Sequence, residues 1–173
     1  MNTVELLQFS VDNAFDILDQ VTADLTQEQA DWTPPGIANP IGATYWHVIS
    51  GADEVVHHWC QGQEPLSKRD SWREQALSVA VPEPERGGDW LAYMQEIRVD
   101  LPLMHEYARL VCAATQSWLA LQTPDDLERK IETPIGVLSL AQMLATFVVW
   151  HIDAHCGEIA ALKGCLGVRG YPF

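Results

Sequence analysis

A chain of 173 residues, 47% hydrophobic and 20% charged, has the composition of a folded protein and the length for one domain over 1–173 to bury a full core. Its 24 acidic residues against 10 basic give a net charge of −14. Such a surface repels phosphate backbones and anionic lipids, so no nucleic acid and no membrane is expected as a partner. The opening MNTVELLQFSVDNAFD carries acids within its apolar pattern, and no run is long enough to span a bilayer. Cys60, Cys112, Cys156 and Cys165 form no CxxC pair and read as reduced thiols, which points to the cytoplasm.

Val4, Leu7, Val11, Ala14, Leu18 and Val21 recur at helical spacing and predict a first amphipathic helix, opened by Asn2 with Glu5 three residues on. A short helical turn over 25–29 follows, and Trp32-Thr33-Pro34-Pro35-Gly36 then breaks the pattern. Asn39-Pro40 predicts the start of the second helix, with Asn39 as N-cap and Pro40 as the first helical residue. That helix runs to Cys60 and stops near Gly62. Residues 61–88 hold Pro65, Pro82, Pro84, Gly87 and Gly88 and read as a long connection, with a small helix over 72–79. Helical rhythm returns from Asp89 to Leu121, where Pro102 predicts a kink or two abutting helices. Pro124, Pro134 and Gly136 break the next stretch, within which Lys130–Thr133 looks extended. Ser139 and Gln142 form a capping box for the last long helix, which reaches Lys163 and ends at Gly164 or Gly167. No run reads as a sheet. The expected fold is all-α, a four-helix bundle with a long crossover between helices 2 and 3, which frees those two from being antiparallel neighbours.

His151 and His155, in VVWHIDAHCGEIAALKG, lie four residues apart and so stack on one helical face, where both imidazoles can reach one metal ion. Six histidines make a chance pair ordinary, but the flanking Phe147, Val148, Val149, Trp150, Ile152 and Ala154 make unpaired imidazoles costly to bury there. A third ligand is available in His47, within IGATYWHVISGADEV. Gly51, Glu54 and His58 share its stripe, so His47 faces the pair if helices 2 and 4 pack side by side. Three imidazoles leave coordination positions open, as catalytic sites require. His57, His58 and His105 read more plainly as helix-surface residues, with His58 the best placed of them to line a site.

These residues stand in an order that resembles the DinB/YfiT-like superfamily of metalloenzymes. The likeness covers nearly the whole chain, through LTQEQADWTPPG, IGATYWHV and ETPIGVLSLAQMLATFVVWHIDAHCGEIAALKGCLG. The family pattern places one histidine early in the second helix and an HxxxH pair in the fourth, and His47, His151 and His155 match those positions. The resemblance implies a divalent metal ion (Ni, Zn or Fe) on the three histidines, and a homodimer. It also implies a small-molecule substrate, since characterised relatives include S-transferases and an isomerase that use low-molecular-weight thiols. The chain departs from the pattern at Glu158, where glutamine is usual, and at Cys156, where a basic residue is common. Glu158 lies near the face of His151 and reads as an acceptor behind a ligand or a solvated acid; Cys156 reads as a buried structural thiol.

Other readings of the same residues are weaker. Glu54-Val55-Val56-His57 is a Glu-x-x-His motif, but di-iron bundles use it twice and this chain has it once. HIDAH lacks the glutamate that zinc proteases place after the first histidine. Three functions remain: a metal-dependent enzyme, either a thiol S-transferase or a hydrolase; a metal-binding stress or interaction protein without turnover; and a helical module whose histidines never meet.

Overall fold

The computed structural model describes residues 2–85 and 87–172. The first helix, α1 (Thr3–Thr22), starts where predicted, with Asn2 and Glu5 each bonding the other's backbone N–H. All six apolar positions of its stripe are buried. Thr26 and Gln29 make the same reciprocal cap on α2 (Gln27–Asp31). Helix α3 (Ile41–Asp53) continues without a break as a π-helical segment, Glu54–Cys60.

The start of α3 departs from the expectation. Pro40, at φ −56° and ψ 149°, is itself the N-cap, and Ile41 is the first helical residue. The Pro40 carbonyl accepts from Thr44 N–H at 3.0 Å, while the Asn39 side chain makes no capping bond and its Oδ1 is buried without a partner.

The crossover is more structured than a loop. It holds α4 (Leu66–Arg69), α5 (Trp72–Ala76), the short strand β1 (Leu77–Val79) and α6 (Trp90–Glu96). Strand β2 (Arg98–Val99) pairs antiparallel with β1. Pro102 kinks nothing, because it sits in the first turn of α7 (Leu101–Leu119), where its missing N–H costs no bond. Asp100 caps that helix through Leu103 N–H at 3.1 Å. After α8 (Pro124–Leu127), the extended Lys130–Thr133 is strand β3, and it pairs with β4 (Gly136–Ser139) in a hairpin. The expectation of no sheet is therefore corrected by two small two-stranded pairs. The last helix opens on the Ser139–Gln142 box as α9 (Leu140–Leu144), passes through a second π-helical segment (Ala145–Trp150) and ends as α10 (His151–Cys165). Gly167, at φ +73°, takes the left-handed turn after its C-cap, a conformation that favours glycine.

Helices α1 and α3 each pack against both α7 and α10, which closes a four-helix bundle. Gln8 Nε2 reaches the Leu119 carbonyl, so α1 and α7 run antiparallel, whereas Lys163 Nζ on the Val21 carbonyl at 2.8 Å brings the ends of α1 and α10 together. Tyr45 meets His105 and Trp46 meets Tyr107, which sets α3 parallel to α7. The crossover thus returns the chain to its starting end, and helices 2 and 3 of the bundle are neighbours that run the same way. Helices α3 and α10 are antiparallel, because His47 meets His155 while Gly51 meets His151.

Candidate metal centre

His47 stands in the second turn of α3, and His151 and His155 in the first two turns of α10. Antiparallel packing of these helices brings together residues 104 positions apart: His47 Nε2 lies 3.1 Å from His151 Nε2. His155 Nε2 lies 3.1 Å from the same His151 atom. The rings stand nearly perpendicular to one another, at 78°, 88° and 89°, so that three edges converge on one point. Close approach of the helices depends on Gly51. A Cβ there would lie 3.2 Å from His151 Cε1, so the absence of a side chain is what lets the ring lie against α3.

Behind the pair, His155 Nδ1 lies 2.6 Å from a carboxylate oxygen of Glu158, three residues on along α10. A carboxylate only accepts, so this bond holds the ring proton on Nδ1 and leaves the Nε2 lone pair facing the other rings. Burial pushes His151 down to about 4, helped by neighbouring His47 and His155. Burial also lowers His47, with His155 acting in the same direction and Glu158 against it. Two of the rings are therefore held toward the neutral form that binds metals.

Proton counting gives the donor set a test of its own. With His155 committed to Glu158, three neutral rings cannot supply a proton to both 3.1 Å contacts: if His151 Nε2 donates to His155, it cannot accept from His47. A cation at the centre satisfies all three lone pairs at once. Nitrogens on a tetrahedral ion at ~2.0–2.1 Å lie ~3.3–3.4 Å apart, so the cluster is within a small adjustment of that spacing. His47, His151 and His155 fit a metal ion, each offering one ligand atom within 4.8 Å of the others.

The remaining histidines do not join them. His57 is buried with its Nδ1 2.7 Å from Asp53, His58 is exposed against Trp59, and His105 Nδ1 contacts the Tyr45 hydroxyl at 3.1 Å. The π-helical turn after Asp53 takes His58 off the stripe it would share with His47 on a regular helix. Cys156 is buried as expected, and burial pushes its thiol up to about 12, so it carries no thiolate at neutral pH. Trp46 walls the approach to the site, whereas Trp150 points to solvent.

Two features escaped the sequence. A cleft of about 770 Å³ opens beside the triad, between α3 and the crossover, with His47 on its wall. Under it, the fully buried Asp53 carboxylate accepts from the Leu66 and Ser67 amides at 3.0 and 2.8 Å and from the Tyr107 hydroxyl at 2.6 Å. An aspartate four residues before a histidine, inside an otherwise apolar helix, was its one local signal.

Fold and site together define a helical-bundle protein with a three-histidine cluster able to hold a metal ion. The profile of the DinB superfamily matches residues 11–159, and the chain belongs to that superfamily. No curated protein matches it. Among solved structures, it is similar to a conserved protein from Enterococcus faecalis, at 18% identity and a TM-score of 0.80, over 96% of this chain and 99% of that one. At that identity the likeness supports the fold alone.

Proposed function

We propose that this protein is a metal-dependent enzyme whose His47, His151 and His155 hold one divalent ion (Ni, Zn or Fe), and that it transfers a low-molecular-weight thiol to a small electrophilic substrate. The convergence of three Nε2 atoms beside an open cleft carries this reading. A divalent ion there supplies Lewis acidity that lowers the pKa of a bound thiol or water toward neutrality. The chain's own residues do the rest. Glu158 orients His155, Gly51 makes room for His151, and His47 borders the cleft from which a small molecule would approach an ion held by the three rings. The choice of thiol chemistry rests on the resemblance to characterised superfamily members, and hydrolysis would use the same cluster.

Elemental analysis of the purified protein tests the site. Wild type is expected to retain one ion per chain, and His47→Ala and His151→Ala to lose it. Stoichiometric metal in both variants would sink the three-histidine assignment. Thiol consumption with monochlorobimane, with and without metal, then tests turnover. A rate unchanged by metal removal would reject the thiol reading, and a metal-holding protein inactive on electrophiles and esters alike would be a binder.

A further inference from the structure

The cleft beside His47 is lined on its apolar part by Trp46, Trp90, Val81 and Pro82. Trp46 is almost fully buried in the core, whereas Trp90 keeps 47% of its surface exposed and offers an apolar face where it lines the cleft. The same lining carries Glu54, Lys68, Arg73 and Glu83, whose formal charges cancel.

The Arg73 cation is already committed to protein acceptors. The Arg73 guanidinium donates to the Val81 carbonyl at 2.8 Å, to Glu83 at 2.6 Å and to the Tyr93 hydroxyl at 3.1 Å. Lys68 forms only a loose, exposed pair with Glu54, at 3.7 Å. Arg73 instead works as a fastener. It fixes the Val81 backbone and, through Tyr93, the edge-on partner of Trp90, whose ring centroid lies 5.5 Å away at 82°. The Val81 backbone and the Tyr93–Trp90 pair are thus fixed through one guanidinium before any ligand arrives, which is the preorganisation that lets apolar contact contribute to affinity.

From this we infer that the site takes a small organic molecule with a flat apolar body, seated against Trp90 and the Val81–Pro82 segment, and a donor atom at one end directed at the three-histidine cluster. The inference rests on the proposed metal site and names the substrate class that the site admits.

Hydroxamates test this, because acetohydroxamate and benzohydroxamate carry the same metal-binding head and differ only in the flat apolar body. Titrated calorimetrically into zinc-loaded protein whose stoichiometry has been checked, benzohydroxamate should bind about tenfold more tightly or better. Trp90→Ala should abolish that preference and leave acetohydroxamate unchanged, and Trp90→Phe should restore most of it. Equal affinities in wild type, or a preference that survives Trp90→Ala, would overturn the inference while leaving the metal site standing. A protein that holds no zinc overturns both.

Discussion

Glu158 is the one carboxylate that bonds a member of the three-histidine cluster among the described residues. Its carboxylate lies 2.6 Å from His155 Nδ1 but is itself 59% exposed, so part of its charge is screened by water. Removing the acceptor frees the ring to turn and to shift its proton to Nε2, which blocks ligation. Glu158→Ala is therefore expected to weaken metal affinity by about tenfold, at the low end for groups that orient a ligand. Glu158→Gln keeps an oxygen acceptor without the charge and should lose less. Competition against a chromophoric chelator measures both, and an unchanged affinity in Glu158→Ala would remove Glu158 from the site. At this scale the sequence was informative: the His151/His155 spacing is local, and His47 could be found by asking what a neighbouring helix would present to the pair. The Nδ1–carboxylate bond was legible only as a neighbourhood, because a rotamer decides it.

Between elements, the α3–α10 contact makes the site, and Gly51 sets how close that contact is. Glycine inside a helix costs about 1 kcal/mol relative to alanine, so Gly51→Ala should raise intrinsic helix stability. Its new Cβ would meet His151 Cε1 at 3.2 Å and push the ring by a few tenths of an ångström. The expected outcome separates two properties: an unchanged or higher melting temperature without metal, together with metal affinity reduced several-fold. A fall in both, or in neither, would count against Gly51 as a spacer for the ring. The capped helices were legible for a related reason, since Asn2–Glu5 and Ser139–Gln142 act within one turn. Strands β1 and β2, of three and two residues, are too short to show alternation, and their pairing joins segments about twenty residues apart. Asn39-Pro40 misled by one residue, because Pro40's extended ψ lets its own carbonyl begin the helix.

The molecule as a whole must tie a long crossover to its bundle, or the cleft would have no far wall, and Asp53 does much of this. It stands at the end of α3, holds the first turn of α4 by two amides, and takes the hydroxyl of Tyr107 from α7. No sequence pattern joins positions 53, 67 and 107; three-dimensional packing alone does. Burial by itself would raise the Asp53 pKa, but hydrogen bonds from His57, Tyr107 and the Ser67 and Leu66 amides outweigh it and leave the group below its ordinary value. The ionised form is thus favoured in the folded state. Its contribution to stability is complete above the unfolded value of about 3.9 and is lost as the pH falls through the lower folded value. Asp53→Asn places an amide donor against these donors, which should cost about 3–5 kcal/mol and lower the melting temperature by roughly 10 °C at pH 7. Urea unfolding of wild type and Asp53→Asn at pH 7, 5 and 3 should show the same gap at the first two values and a smaller one at pH 3, below the unfolded value, where the unfolded wild-type chain takes up a proton at Asp53. A gap that persists undiminished in acid, or is absent at pH 7, would mean that the crossover is held by packing and not by this carboxylate.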